Sequence, residues 1–205
     1  SLLAVVYLVW LLNLFNFIDG TDGIAAIEAI FVCIAGAILN YHVLSDINFS
    51  APSIILATST FGFLLYNWAP AKIFMGDIGS GYLGIAIGGL SLVATKQQHE
   101  LLWVWIILLG VFVSDATVTL IRRLLQKQKP HVAHRSHAYQ HLAIRFGSHA
   151  KVSLLVLAVN VVWLLPIAFL VADKQLSGTT GVVVAYVPLL LTVLALGAGK
   201  DSATN

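Results

Sequence analysis

Long apolar runs, separated by short polar segments, constrain this chain more than any other feature of its sequence. Several runs reach the roughly 20 residues that a helix needs to cross a bilayer, and neutral flanking residues complete the shorter ones. None shows the alternation of a barrel strand, and in lipid only helices and closed barrels pair all backbone polar groups. We therefore predict an all-α, polytopic integral membrane bundle with about seven transmembrane helices, formed by residues 2–18, 24–44, 51–66, 78–95, 101–121, 152–172 and 181–199.

The composition excludes a soluble protein. Hydrophobic residues make up 59% of the 205 residues and charged residues only 10%, whereas about a quarter of the residues of a soluble protein are charged. The polar segments are too short for a soluble domain, so residues 1–205 are predicted to form a single membrane domain, with lipid rather than nucleic acid as its partner. The one cysteine, Cys33, excludes an intrachain disulfide.

Lysine and arginine residues are unevenly distributed between the loops. Nine of the 11 lie in the segments near 19–23, 67–77 and 122–151 or in the C-terminal tail, and the opposite loops contain only Lys96 and Lys174. Because basic loops of membrane proteins face the cytoplasm, these segments are predicted to be cytoplasmic and the N-terminus external. Since the chain enters an apolar run at once, without a basic leader segment, we expect it to be the C-terminal portion of a longer protein.

Four polar side chains occur three residues apart in the segment NLFNFIDGTDG, namely Asn13, Asn16, Asp19 and Asp22. This spacing keeps them within about half the circumference of a helix. A helix that ends in Asp-Gly turns is the simpler explanation of the pattern. However, carboxylates at the end of an apolar helix are costly unless they face a wet site, which favours a functional role for Asp19 and Asp22.

A second polar segment, NWAPAKIFMGDIGSGYLG, covers residues 67–84. It contains three glycines, Gly76, Gly79 and Gly81, which allow the backbone to turn sharply. Such a turn exposes backbone N–H groups beside the positive end of the next helix, as in phosphate-binding sites. Asp77 has the wrong charge to bind phosphate directly, but it suits a Mg²⁺ ion that bridges to phosphate oxygens. A helix cap formed by Asp77 or Ser80 is the alternative, and it leaves Lys72 and Asn67 unexplained.

Two carboxylates, Glu28 and Asp115, lie inside apolar runs, where carboxylates are functional by default. For Asp115 two structural roles are also open, a hydrogen bond from a Ser, Thr or Asn of a neighbouring helix and a pair with Arg122. Together the two carboxylates define the main alternative function, a membrane transporter with a proton relay. That alternative does not explain why polar residues concentrate on one face of the membrane.

The segment 122–151 contains seven cationic residues, five of the seven histidines and no carboxylate. Juxtamembrane basic residues bind anionic lipid, which is one explanation for Arg122, Arg123, Lys127 and Lys129. A zinc site formed by His134, His137 and His141 is a weaker alternative, because no cysteine or carboxylate completes a tetrahedral set. The close group of His134, Arg135 and His137 is harder to explain without a bound ligand.

Three segments, NLFNFIDGTDGIA, NWAPAKIFMGDIGSGYLG and AHRSHAYQHL, resemble the successive cytoplasmic motifs of the polyprenyl-phosphate N-acetylhexosamine-1-phosphate transferases, glycosyltransferase family 4. This family includes phospho-MurNAc-pentapeptide translocase and the GlcNAc-1-phosphate transferases of O-antigen and teichoic acid synthesis. The histidine motif is more similar to the O-antigen-initiating branch, which uses UDP-GlcNAc or a 6-deoxy amino sugar such as fucosamine, than to the peptidoglycan branch.

The resemblance implies an enzyme of the bacterial inner membrane, a phosphoglycosyl transferase. Such an enzyme transfers a sugar 1-phosphate from a UDP-amino sugar to undecaprenyl phosphate and releases UMP, here as the initiating step of lipopolysaccharide O-antigen synthesis. It implies Mg²⁺ as cofactor, with Mn²⁺ as a substitute, and allows a homodimer. The adjacent Asp-Asp pair of the family has no counterpart in this chain and is expected upstream.

The same resemblance implies roles for individual residues. Asp77, Asp19 and Asp22 are expected to hold the metal ion and, with His137, to be catalytic. Phe74 is expected to stack on uracil, and the full set of predicted substrate-binding residues is Asn16, Asn67, Lys72, Phe74, His134 and Arg135. A seven-helix receptor, a retinal protein and a noncatalytic scaffold fit less well, and Mg²⁺-dependent binding of UMP or a UDP-sugar distinguishes the enzyme from the other classes.

Overall fold

The computed structural model of the protein describes residues 2–128 and 135–200, and all regular structure in these residues is helical. Each of the seven predicted runs forms helix, which confirms the all-α fold. A short 3₁₀ turn, Ile47–Phe49, lies between the second and third helices. In chain order the α-helices are α1 (Leu2–Ile18), α2 (Ile24–Leu44), α3 (Ala51–Asn67), α4 (Gly76–Gln97), α5 (Glu100–Leu108), α6 (Gly110–Leu125), α7 (Ala138–Phe146), α8 (His149–Val159), α9 (Leu165–Ala172) and α10 (Gly178–Ala195).

The number of helices that can cross a bilayer is lower than the predicted seven. Within the described residues, four are long and apolar enough, namely α2, α4, α10 and the continuous unit of α8 and α9. A fifth span results if α5 and α6 are counted together, although they meet at an angle of 71°. Helices α1 and α3 have 17 residues each, which at the rise of an α-helix is roughly 26 Å and shorter than the hydrocarbon core. The prediction of about seven spans is therefore too high.

Two of the predicted spans are interrupted. The run 101–121 bends at Leu109, between α5 and α6, directly before Gly110. Glycine is a poor helix former, so a break there costs little. The unit of α8 and α9 contains a π-helical turn, Asn160–Leu164, just before Pro166. Because proline lacks a backbone N–H and its ring collides with the preceding turn of a helix, the wider turn accommodates it.

The helices pack around a core of large apolar side chains. The ring centres of Phe15 in α1 and Phe112 in α6 lie 5.3 Å apart. Trp105 of α5 is fully buried, and its indole N–H donates a hydrogen bond of 3.2 Å to Asn40 of α2. Helices α1 and α4 approach closely at Gly84, where a Cβ atom would overlap the backbone of α1. The core therefore fixes the relative positions of the helices that carry the polar loops.

Contacts between loops show which helix ends lie together. The α1–α2 loop contacts both the α3–α4 loop and the start of α8. The C-terminal tail reaches the segment before α7, where the Gly199 N–H donates a 2.7 Å bond to Ser136. At the opposite end of the bundle, His42 of α2 lies 3.1 Å from Asp173. The loops with most of the lysines and arginines thus share one end, while the side of the membrane that this end faces stays a prediction.

Candidate active site

A polar cleft of about 230 Å³ opens between the α1–α2 loop and the start of α4, at the basic end of the bundle. It brings together the first and second polar segments of the sequence. Its lining consists of Asn16, Asp19, Gly20, Thr21, Asp22, Asn67, Phe74, Met75, Gly76 and Asp77. All predicted site residues of these two segments except Lys72 therefore surround one space, and their chemical roles stay predictions.

Hydrogen bonds from buried groups hold the two sides of the cleft together. Asn67, at the end of α3, is only 3% exposed. Its Oδ1 accepts the Gly23 N–H at 3.1 Å, and its Nδ2 donates to the Ile73 carbonyl at 2.9 Å. The Ser80 hydroxyl of α4 donates to Asn16 Oδ1 at 3.2 Å. Since both ends of the Asn67 amide are bonded to the backbone, this lining residue joins the start of α2 to the α3–α4 loop.

Asp22 connects three elements. Its Oδ2 accepts the Ala71 N–H at 3.1 Å, and its Oδ1 lies 3.3 Å from His149 Nδ1 at the start of α8. The Ser153 hydroxyl of α8 donates to the Asp22 carbonyl at 3.1 Å. Because both carboxylate oxygens already have protein partners, Asp22 holds the loops in register, and its role as a metal ligand stays a prediction.

Helix α4 begins earlier than the sequence predicts. It starts at Gly76, so Gly79 and Gly81 lie inside its first two turns and do not form a separate glycine loop. No described side chain makes a cap hydrogen bond at this end, which contradicts the alternative that Asp77 or Ser80 is the helix cap. The N-terminus of α4 borders the cleft, and the positive end of its dipole favours an anion there.

Asp19 and Asp77 line the cleft together and interact through their charges. Burial, and secondarily the charge of Asp77, raise the pKa of the Asp19 carboxyl to about 7. A proton or a cation between the two groups relieves this repulsion. The buried hydroxyl of Thr21 also lines the cleft and has no hydrogen-bond partner in the part of the chain that the structure describes, a feature that sequence reasoning missed.

The pKa of Asp19 gives a prediction for the metal-free protein. The Asp19 carboxyl should be mostly neutral at pH 6 and mostly ionised at pH 8, whereas an exposed aspartate is ionised above about pH 4. Because the folded pKa lies above the unfolded one, the contribution of Asp19 to the free energy of unfolding falls as the pH rises from about 4 to about 7 and is level above that range. Asp77→Asn should lower this pKa but leave it above the ordinary value, since burial is the larger cause.

An infrared titration in the presence of a chelator measures this carboxyl. The relevant C=O band is the one that disappears in Asp19→Asn. Loss of that band near pH 4 in the unsubstituted protein would contradict the predicted proximity of Asp19 and Asp77 and the burial of the carboxyl.

The remaining predicted substrate-binding residues differ in their placement. Phe74 is 78% exposed at the mouth of the cleft, so one face of its ring is open for stacking. Lys72 is exposed but does not line the cleft. Arg135 is also exposed, two residues before His137. His134 lies outside the described residues.

His137 lies at the start of α7, and its side chain is buried. Its ring centre is 6.4 Å from that of Phe17, near the end of α1, and 5.6 Å from that of Tyr139. Because Phe17 precedes Asp19 by two residues, the histidine segment reaches the edge of the cleft. His141, which the zinc alternative requires, is bonded through Nδ1 to the Leu196 carbonyl at 2.9 Å. Within residues 2–128 and 135–200, no group of three or more metal-ligating side chains occurs.

Tyr139 links the histidine segment to the first polar segment, and sequence reasoning missed it. Its hydroxyl donates to the Phe17 carbonyl at 3.3 Å and occupies the space that a Cβ atom on Gly20 would need. Burial, together with the charges of Asp115 and Asp19, raises the pKa of Tyr139, so the hydroxyl stays a donor. The only sequence signal was a glycine beside Asp19, which an Asp-Gly turn explained equally well.

The structure separates the two intramembrane carboxylates. Asp115 accepts hydrogen bonds from the backbone at the start of α7, and Glu28 accepts one from Asn160 in the π-helical turn. Arg122 donates instead to the Ala198 carbonyl at 2.8 Å, so the proposed pair of Asp115 with Arg122 is wrong. A sequence cannot show that the tail after α10 returns to α6.

Comparison with known proteins shows a family and several relatives to which the chain is similar. Residues 1–95 match the sequence profile of glycosyl transferase family 4. The chain is 43% identical over 107 residues, 51% of its length, to a probable undecaprenyl-phosphate N-acetylglucosaminyl 1-phosphate transferase of Bacillus subtilis, of which it covers 30%. It is 32% identical over 127 residues, 59% of its length, to the phospho-N-acetylmuramoyl-pentapeptide-transferase of Levilactobacillus brevis, of which it covers 38%.

A third relative matches most of the chain. The decaprenyl-phosphate N-acetylglucosaminephosphotransferase of Mycolicibacterium smegmatis is 29% identical over 199 residues, which is 86% of this chain and 48% of that protein. The chain therefore spans less than half of each of these three relatives. The profile match over residues 1–95 and the relatives confirm the resemblance seen in the polar segments: the chain is similar to glycosyl transferase family 4, the polyprenyl-phosphate hexosamine-1-phosphate transferases.

Proposed function

We propose that the protein made from the complete gene transfers an N-acetylhexosamine 1-phosphate from a UDP-sugar to undecaprenyl phosphate and releases UMP. The reaction would initiate a cell-envelope glycan of the O-antigen type. The observation that carries this proposal is the cleft in which Asp19, Asp77, the exposed ring of Phe74 and the N-terminus of α4 face one space. The names of the relatives from Bacillus subtilis and Mycolicibacterium smegmatis describe the same type of reaction and support the choice of sugar and lipid classes.

The residues of the cleft fit a Mg²⁺ ion. Mg²⁺ prefers hard oxygen ligands and is commonly held by one or two carboxylates, with water and substrate phosphates completing its shell. Asp19 and Asp77 supply two carboxylates whose mutual repulsion a divalent cation would relieve. When bound, the ion supplies positive charge to the diphosphate of the donor.

The other groups in and near the cleft would bind and orient the UDP-sugar donor. Two anionic groups must meet in this reaction, so the barrier consists mainly of charge repulsion and positioning. The Phe74 ring offers a flat surface to the base, and the N-terminus of α4 offers positive dipole to a phosphate. We expect Arg135 and His137, in the segment that meets the end of α1, to contact the diphosphate or the sugar when the donor binds, although neither residue lines the cleft in this structure. A lipid acceptor stays in the bilayer and meets the donor at this end of the bundle.

The contacts do not support the transporter alternative. A proton relay needs successive groups within hydrogen-bond reach along a path. Glu28 is bonded to Asn160, and Asp115 is bonded to Thr119 and the start of α7, so the two carboxylates bond to different groups. The polar cleft, in contrast, lies at one end of the bundle.

A direct assay tests the proposed function. Purified protein from the complete gene, in detergent with undecaprenyl phosphate and Mg²⁺, should release UMP from UDP-N-acetylglucosamine or a related UDP-amino sugar. Asp46→Asn is the matched control, because Asp46 lies after α2 at the far end of the bundle and its carboxylate accepts hydrogen bonds from Asn48. Release of UMP that does not require undecaprenyl phosphate, or no release with any UDP-amino sugar, would refute the proposal.

The orientation of the loops is a separate prediction. In a Cys33→Ala background, Gln126→Cys should resist a membrane-impermeant maleimide in intact cells, because the basic end of the bundle is expected in the cytoplasm. Gln97→Cys, at the opposite end of α4, is the control and should react. Both positions should react after permeabilisation. The reverse labelling pattern in intact cells would place the cleft outside and contradict a cytoplasmic nucleotide donor.

A further inference from the structure

We propose that Asp115 is the positioning residue of the histidine segment, because its buried carboxylate binds the N-terminus of α7 and holds His137 and Tyr139 against the end of α1. The positioning rests on contacts in the structure alone. Its effect on catalysis rests on the proposed function, in which His137 contacts the donor.

Asp115 lies in α6 and is only 4% exposed, and its carboxylate points at the first turn of α7. Its Oδ1 accepts the Ala138 N–H at 2.9 Å, and its Oδ2 accepts the Tyr139 N–H at 3.0 Å. The first N–H groups of a helix have no partner within the helix, and a negative charge beside them also interacts favourably with the helix dipole. The geometry is therefore that of an anion bound at a helix N-terminus, with the anion supplied by a neighbouring helix.

The remaining N–H groups at this end of α7 have other partners. The His137 N–H donates to Gln140 Oε1 at 3.1 Å, and the Gln140 N–H donates to the His137 carbonyl at 3.1 Å. Only the N–H groups of Ala138 and Tyr139 depend on Asp115. Both residues are buried, so loss of the carboxylate would leave two donors without a partner in a place that water does not easily reach.

Two further contacts fix the carboxylate and connect it to the imidazole. Thr119, one turn later in α6, donates to Oδ1 at 3.1 Å. His137 Nδ1 lies 3.3 Å from the same oxygen. Because a carboxylate only accepts hydrogen bonds, this contact places a proton on Nδ1, which orients the ring and sets its tautomer.

Tyr139 connects α7 to the loop that borders the cleft. While its backbone N–H is held by Asp115, its side chain donates to the Phe17 carbonyl and fills the space above Gly20. Asp19 is the neighbour of Gly20 and lines the cleft. Asp115 thus sets the distance between the histidine segment and the first polar segment, although it does not line the cleft itself.

Amide hydrogen exchange tests the positioning without any assay of activity. Asp115→Asn keeps the size of the side chain but removes the charge and one acceptor oxygen, so Ala138 and Tyr139 should exchange at least about tenfold faster. Thr119→Val is the matched control, because it removes a donor to the same carboxylate and leaves both backbone bonds, and its exchange should stay within about twofold of the unsubstituted protein. Unchanged exchange in Asp115→Asn overturns the proposal.

A second variant tests whether Asp115 positions α7 or only stabilises the fold. It can be measured even if Asp115→Asn does not fold. Asp115→Glu keeps the charge and both oxygens but carries them one methylene further, which shifts α7 relative to α1. The exchange protection of Ala138 and Tyr139 should persist while kcat falls about tenfold, with the KM for the UDP-sugar within about threefold. Unchanged kcat in this variant overturns the positioning role.

Kinetic coupling tests whether Asp115 acts through His137. If it does, Asp115→Glu should lower kcat little further in a His137→Asn background. If the two residues act independently, the losses in kcat of the single variants should multiply in the double variant. Multiplicative losses overturn the assignment to His137. If the unsubstituted protein transfers no sugar phosphate, the proposed function fails, and the exchange experiment still decides whether Asp115 positions α7.

Discussion

Asp77→Asn should abolish sugar-phosphate transfer at all practical Mg²⁺ concentrations, with a loss on the order of 10³-fold or more in kcat. Asparagine keeps the size of the side chain and one oxygen but removes the charge that holds a divalent cation. Asp77 is exposed in the first turn of α4, and no side-chain cap is formed there, so the substitution should leave folding in detergent intact. The measurement is UMP release, accompanied by the thermal unfolding midpoint.

The Asp46→Asn control shows whether activity depends on the Asp77 carboxylate in particular or is lost with any Asp-to-Asn substitution. Asp46 accepts hydrogen bonds from Asn48 in the 3₁₀ turn, and asparagine can replace it there. This variant should retain nearly full activity. Wild-type activity of Asp77→Asn would rule out the metal role of Asp77 and, with it, the use of the cleft by a metal-bound diphosphate.

His137→Asn should lower kcat on the order of 10²-fold while leaving the KM for the UDP-sugar within a few-fold, if His137 contacts the donor in the transition state. Asparagine is among the favoured residues at a helix N-terminus, so α7 should still form. The matched control is His141→Asn, because His141 lies in the same helix but is bonded to the Leu196 carbonyl of the tail. That variant should keep kcat within a few-fold.

The two kinetic constants give different information about His137. A raised KM with unchanged kcat would assign His137 to binding of the ground state rather than to the reaction. Unchanged values of both constants would exclude a direct role, and the burial of its ring against Phe17 and Tyr139 would then be structural only.

The sequence predicts much of the fold because the signals involved are local. Length and hydropathy identify the helical runs, and the distribution of lysine and arginine predicts which loops share an end of the bundle. The candidate functional roles of Asp19, Asp22 and Asp77 could likewise be inferred from the residues around each of them. Their meeting in one cleft follows once the loops are assigned to the same end.

The features that the sequence did not predict depend on contacts between distant segments. The bend at Leu109 and the 17-residue lengths of α1 and α3 lower the count of spans, although the runs look continuous or extendable in the sequence. A pair of Asp115 with Arg122, about two helical turns further along, was one of the roles left open, because the position of α7 was unknown. The contact of Tyr139 with Phe17 joins residues 122 positions apart, and no periodicity predicts such a pair.

The proposed function requires the cleft between the first two polar segments to bind a divalent cation together with a nucleotide diphosphate. An anomalous difference map of the complete protein crystallised with Mn²⁺ and a UDP-amino sugar tests it most directly. We expect a Mn²⁺ peak bonded to Asp77 and Asp19, with the uracil ring against Phe74. A peak elsewhere, or a bound nucleotide outside the cleft, would contradict it.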